Sequence, residues 1–316
     1  MTAGPGVGRS RDAAWASAAV RAIAAASSGH VGLAARHIES GETLSLLPDR
    51  PVRTASTIKV PIHAVLMLRV RQGHADLDSV VTLAAGDQVG GSGVLSVLRP
   101  GLRCTVADLC TLMIVLSDNS ATNMLIDVCG GVDVINDCLA ELGFESIRLN
   151  RKLGYPPPPL VAAARQPADD PQGELATASP ADLCRLMVEL HRGTVVDADA
   201  SAEVLQVLAH QQSQVLFPRA YLDVAEPGDP PGPDGPAMAH KTGSVGGCRV
   251  ETGLLYLPEN GGTVAYAAAA DDLADQSMTA LAEGNEILGR LGAIVLARWW
   301  PGPGPVPVRQ GWLQAE

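Results

Sequence analysis

The sequence predicts an α/β fold of the α+β kind: an antiparallel sheet drawn from both chain ends, flanked by helices, with an all-helical lobe inserted between them. Three observations predict it. Short apolar stretches separated by turn residues gather near both termini. The region between them repeats apolar residues at helical spacing behind capping signals. Pro/Gly-rich pieces punctuate the chain where neither a helix nor a central strand can run. The expected organisation is a single domain over 1–316. Its sheet lobe spans about 12–50 and 194–300, its helical lobe about 51–193, and a Pro-rich tail takes 301–316. A site belongs in the groove between sheet and lobe.

The elements follow in order. Met1 to Arg11 is Gly-rich and polar. Ala14 to Ala25 is Ala-rich but broken by Arg21, which reads as an amphipathic first helix rather than a secretory signal. A cytoplasmic protein is therefore expected. His30 to Ile38 and Thr43 to Leu47 flank the turn Glu39-Ser40-Gly41-Glu42 and read as a hairpin. Val60 to Val70 is an apolar helical run. Thr105 with Asp108 forms a capping box ahead of Leu109, Cys110, Met113 and Leu116. Val134, Ile135, Cys138, Leu139 and Leu142 mark another helix. Ser179-Pro180 with Asp182 opens a further one, with Leu183, Leu186, Met187 and Leu190 on its apolar face and Gly193 to close it. Leu153 to Gly173 is a loop dominated by Pro156 to Pro159, and Glu226 to Pro236 is a second irregular piece. Met238 to Ser244, Arg249 to Leu257 and Thr263 to Ala270 read as a three-stranded meander. Ala274 to Trp300 is expected to be helical until Pro301 stops it.

Composition narrows the function. Hydrophobic residues make up 47% of 316, which is globular, and no apolar run approaches the ~18 residues of a membrane span. Net charge is 23 − 34 = −11, with no basic stripe, so neither nucleic acid nor a membrane is expected as a partner. The six cysteines have no CxxC spacing and fall among Leu, Val and Ile, as small reduced core residues. The seven histidines show no metal-ligand spacing, so no metal or other cofactor is expected.

The chemistry lies in three short motifs. Ser56-Thr57-Ile58-Lys59 opens a helical run, so Lys59 lies one turn above Ser56 on the same face. A hydroxyl is a weak nucleophile at its free pKa, and a desolvated Lys can take its proton. Alone, S-x-x-K says little. Ser117-Asp118-Asn119, however, follows the capped helix, and Lys241-Thr242-Gly243 lies within a strand where glycine permits close backbone approach. The chain has only three lysines, Lys59, Lys152 and Lys241, and two of them occupy the motif positions. S-x-x-K, S-D-N and K-T-G in this order form a known serine-hydrolase signature.

From about His30 to Gly292 the chain resembles the class A β-lactamases and related penicillin-binding proteins. The resemblance implies a five-stranded sheet flanked by helices, with roles for individual residues. Ser56 would attack a carbonyl and Lys59 accept its proton. Ser117 would relay a proton to the leaving group in the positive field of Lys241. Asn119 would hydrogen-bond the substrate amide, Thr242 would help bind a substrate carboxylate, and Gly243 would allow the substrate to approach the strand closely. Backbone N–H groups of Ser56 and Ser244 would form the oxyanion hole. Arg249 is the nearest candidate for anchoring a substrate anion.

The resemblance breaks at one loop. Hydrolytic relatives carry a Glu followed by Leu-Asn in an Ω-shaped loop. Counting forward from Arg148-Leu149-Asn150-Arg151 that position falls on Leu153; counting back from Thr177-Ala178-Ser179-Pro180 it falls on Ala163. Ala176 stands where an acidic brace is expected, and His63 where relatives pair a cysteine with Cys110. Tyr155, Asp169, Asp170 and Glu174 are possible substitute bases. The expectation is an intracellular serine hydrolase or acyltransferase that takes a small amide, lactam or ester, in a setting such as secondary metabolism. A slow β-lactamase or D-Ala-D-Ala-type peptidase, and a non-catalytic binding protein on the same scaffold, are the alternatives. Oligomeric state is not legible.

Overall fold

The computed structural model describes residues 12–154, 174–232, 235–301, 306–309 and 311–313. After α1 (Ala13–Ala26), capped by Asp12, the chain forms the hairpin β1 (His30–His37) and β2 (Thr43–Leu46). A two-residue strand, β3 (Val52–Arg53), leads into a 3-10 turn at Ala55–Ile58 and then α2 (Lys59–Arg71). Strands β4 (Val80–Thr82) and β5 (Arg103–Thr105) pair ahead of α3 (Val106–Val115), whose Thr105–Asp108 capping box forms as its sequence implies. Next come α4 (Asn119–Cys129), α5 (Val132–Glu141), β6 (Arg148–Leu149), β7 (Ala176–Ala178), α6 (Pro180–Arg192) and α7 (Ala198–Ala209). The meander β8 (Ala237–Val245), β9 (Cys248–Tyr256) and β10 (Thr263–Asp271) precedes α8 (Glu283–Trp299).

The main sheet is antiparallel with order β2-β1-β10-β9-β8, so both ends of the chain meet at the β1–β10 pair. A buried central strand must satisfy two faces, and β10 does so by alternation. Ala265, Ala267 and Ala269 join the core under the helical layer, whereas Val264, Tyr266, Ala268 and Ala270 join the one shared with α8. Alanine is a poor strand former, but in a strand covered on both faces its small side chain lets the helices close in. Cys184 of α6 donates its thiol to the Ala265 carbonyl at 3.4 Å.

Two differences from the sequence reading have clear causes. Residues 274–282 are irregular, and α8 starts only at Glu283. The Asp275 carboxylate accepts from the backbone N–H groups of Ser277 and Glu283, and Arg249 and Arg219 take the carbonyls of Ser277 and Ala280. These bonds, two local and two from distant arginines, take backbone groups that a helix would need. A small sheet, β3-β7-β6, was also not foreseen, because strands of two or three residues carry no readable alternation. It nevertheless joins the segment before Ser56 to both ends of the Pro-rich loop, of which residues 155–173 lie outside the described residues. All six cysteines are buried and free. No helix among the described residues is long and apolar enough to cross a membrane.

Candidate active site

The Ser56 turn is held in an unusual conformation. Ala55 has φ +44°, a left-handed value that costs an L-residue of order 1 kcal/mol or more. The Thr54 carbonyl accepts from both the Thr57 N–H, at 3.0 Å, and the Thr57 hydroxyl, at 2.7 Å, which closes the turn. Ser56 thus sits in the 3-10 turn, while Lys59, expected one helical turn above it, is the first residue of α2.

Lys59 is fully buried. Its Nζ donates to the Ser117 carbonyl at 2.7 Å, the Ser117 hydroxyl at 3.1 Å and Asn119 Oδ1 at 2.9 Å. These bonds bring S-x-x-K and S-D-N together. Burial holds the Lys59 pKa well below its ordinary value, the positive charge of Lys241 lowers it further, and Asp118 opposes both. A neutral Lys59 keeps a lone pair, which can accept from the Ser117 hydroxyl. The pair is therefore built to move a proton in either direction.

Ser117 too is left-handed, at φ +54°. It joins α3 to α4, for which Asp118 is the N-cap; Asp118 Oδ1 accepts from Ala121 N–H at 3.0 Å. The other carboxylate oxygen accepts from the N–H groups of Val94 and Leu95, at 2.6 and 2.8 Å. Asn119 Nδ2 donates to the Gly90 carbonyl at 2.9 Å. The 90–95 loop thus braces the S-D-N segment. Gly93 is required there, because a Cβ would lie 2.2 Å from Asp118 Cγ at φ +103°. The sequence marks this loop by the run Gly90-Gly91-Ser92-Gly93. Its glycine density was the one available signal of a close backbone approach.

Lys241 is fully buried and donates to the Thr242 carbonyl at 2.8 Å. Burial lowers its pKa to about 7, against the opposing charge of Glu251. Glu251 is buried opposite Thr242 in the register and accepts from Tyr266 Oη and Phe217 N–H while contacting His240 Nδ1 at 2.8 Å. A Cβ on Gly243 would lie 2.7 Å from the Thr54 carbonyl oxygen and 2.9 Å from the Ser56 nitrogen. Strand β8 is therefore pressed against the Ser56 turn, beside half-buried Thr242 and Ser244.

Arg249 is placed differently from the expectation of an anion anchor. It is 2% exposed, and its guanidinium donates to Asn285 Oδ1 and to the carbonyls of Val245, Cys248 and Ser277 at 2.6–2.8 Å. Those bonds close the β8–β9 hairpin onto the 276–285 segment and leave little for a ligand. Leu153 is buried, its backbone N–H and carbonyl both bonded to the Asn123 side-chain amide. Glu174 is exposed; Tyr155, Ala163, Asp169 and Asp170 lie outside the described residues. His63 is buried, neither ring nitrogen has a hydrogen-bond partner among the described residues, and burial lowers its pKa to about 4.

Comparison with known proteins agrees with this geometry. A family model described as the beta-lactamase enzyme family matches residues 16–299. The structure of a β-lactamase from Sphaerobacter thermophilus DSM 20745 is 30% identical and superposes with a TM-score of 0.72, over 90% of this chain and 97% of that one. PBP-A, 24% identical with a TM-score of 0.72 over 89% of this chain and 94% of its own, shares the fold. Among curated proteins, β-lactamase CARB-4 of Pseudomonas aeruginosa is 28% identical over 131 residues, 42% of this chain and 45% of CARB-4. The match thus spans less than half the length of that curated relative.

Proposed function

The chain belongs to the beta-lactamase enzyme family, and we propose that it is a serine hydrolase or acyltransferase that takes a small amide, lactam or ester through an acyl-Ser56 intermediate. The observation that carries this reading is the buried Lys59 amine bonded to both Ser117 and Asn119, with β8 packed on the Ser56 nitrogen. In the first step neutral Lys59 takes the Ser56 proton as Oγ bonds to the substrate carbonyl carbon. The oxyanion accepts from the N–H groups of Ser56 and Ser244, each donor worth about 3–4 kcal/mol in comparable sites. Asn119 and Thr242 orient the substrate beside Gly243. The carbonyl–nitrogen or carbonyl–oxygen bond then breaks. Ser117 gives its proton to the leaving atom and regains one from Lys59, in the positive field of Lys241. Water or an amine then attacks acyl-Ser56, and the serine leaves with a proton.

The second half of the cycle separates the readings. Buried Leu153, at one of the two positions where a water-activating carboxylate was sought, favours an acceptor other than water. The likeness to CARB-4 favours a slow β-lactamase, the other reading beside a D-Ala-D-Ala-type peptidase. Intact-mass time courses with a penicillin, with and without an added amine, test both. An adduct that persists in water and is released by amine supports the acyltransferase; release as penicilloate in water alone supports the β-lactamase. An adduct that neither acceptor releases supports a binding protein. The intracellular setting is tested by fractionating cells that express the native gene, and activity in the medium would overturn it.

A further inference from the structure

Asp271 ends β10, with a side chain only 8% exposed. Its carboxylate grips one residue in two ways. Oδ1 accepts from Arg53 Nε and Nη2, both at 2.8 Å, and Oδ2 accepts from the Arg53 backbone N–H at 2.9 Å. The Asp272 N–H, at 2.9 Å, completes the set. The Arg53 carbonyl in turn accepts from the Cys248 thiol at 3.3 Å, and Arg53 pairs with Thr177 of β7. The main sheet and the strand that closes the Pro-rich loop therefore meet at this one residue.

Two residues later the chain takes the left-handed turn at Ala55, and then Ser56. Strain of this kind persists only where the surroundings over-determine the backbone. Gly243 supplies the constraint on the Ser56 side, and the Arg53–Asp271 pair supplies it on the other. Two guanidinium N–H groups converging on Oδ1, with the backbone N–H of the same residue on Oδ2, fix direction as well as distance. A carboxylate that only balanced the guanidinium charge would have no need of the backbone N–H.

We propose that the Arg53–Asp271 pair is a positioning device for acylation: it sets the peptide before Ser56 so that the Ser56 N–H and hydroxyl face the substrate carbonyl together. The inference rests on Ser56 being the nucleophile. Asp271→Asn keeps the shape and removes the charge; Arg53→Lys keeps the charge and removes the fork.

The test uses the full chain and a fluorescent penicillin, with the acylation rate constant and the affinity of the pre-covalent complex measured separately. Both variants should acylate about 10- to 100-fold more slowly with the pre-covalent affinity little changed, since a misplaced nucleophile loses rate rather than binding. Hydrogen exchange of a peptide covering residues 52–58 should quicken in both. A folded Asp271→Asn that acylates at the parental rate overturns the proposal, with Ser56 still the nucleophile. If Asp271→Asn does not fold, Arg53→Lys carries the test. Failure of the parent chain to form a Ser56 adduct counts against a lactam as substrate of the proposed function, separately from the clamp. In that case unchanged exchange over 52–58 in the variants overturns the clamp by itself.

Discussion

The two sides of the groove are held by different chemistry. On the acylation side, buried ionisable groups meet: Lys59 bonds to Ser117 and Asn119, Asp118 caps the same segment, and Lys241 acts on Lys59 through its charge, with Ala55 and Ser117 both left-handed. On the loop side, the neck is held by neutral amides. Asn136 pairs with the N–H and carbonyl of Leu149, and Asn123 does the same for Leu153; Lys152 adds only an exposed ion pair to Asp127. Low dielectric makes each charge on the first side both effective and costly. The neutral braces fix the loop backbone without adding a group that could move a proton. In the proposed cycle, bond making to Ser56 would be the preorganised half, and the loop side would be free to differ in how the acyl group leaves.

The largest expected effect falls on the charged side. Lys59→Met should lower the acylation rate about 10²- to 10⁴-fold, the range of a positioned general base, while the protein still folds. A parental rate in stopped-flow would remove Lys59 from the mechanism. Gly243→Ala comes next. Its Cβ must displace the Thr54 carbonyl and the Ser56 nitrogen, so acylation should fall about 100-fold at nearly unchanged pre-covalent affinity.

His63, on α2 beneath the same side, supplies a pH test. Its pKa drops from the unfolded value of 6.5 to about 4 in the fold, so between those values the unfolded chain binds the extra proton. Its contribution is intact above pH 6.5 and is lost as pH falls toward 4. From pH 7 to pH 5 the loss should be about 2 kcal/mol, and urea midpoints on the parent and His63→Leu check it. A pH dependence unaltered in His63→Leu would refute the assignment.

A smaller effect is expected at alkaline pH. With its pKa near 7, Lys241 loses its charge as pH rises, and acylation should fall roughly tenfold per unit once that charge is gone. Lys241→Arg, which stays charged, should abolish that limb. The smallest effect belongs to the neck. Asn123→Ala leaves the Leu153 N–H and carbonyl without their amide and should cost about 1 kcal/mol in thermal unfolding, with acylation unchanged. A large loss of acylation there would erase the distinction between the two sides.

The sheet was legible because its strands are long and bounded by glycine turns: each end of β1, β8, β9 and β10 falls within about one residue of its expectation. The Thr105–Asp108 capping box marked α3, and the Ser179 cap with Gly193 marked α6, for the same local reason. The three motifs were visible as short strings, and the structure bonds Lys59 to Ser117 and Asn119 and packs Gly243 on the Ser56 turn. What sequence could not supply was long-range. Nothing in Ser277 or Ala280 announces that distant arginines will take their carbonyls and delay α8. The buried fate of Arg249 depends on Asn285, 36 residues away. The brace from Gly93 to Asp118, and the grip of Asp271 on Arg53, are likewise meetings of segments far apart in the chain.

The most direct test of the acylation machinery is intact-protein and peptide mass spectrometry after brief exposure to a penicillin. The geometry predicts a stoichiometric adduct on the peptide containing Ser56, absent from Ser56→Ala and strongly delayed in Lys59→Met. An adduct that forms at the same rate in Ser56→Ala, or none in the parent chain, would contradict it.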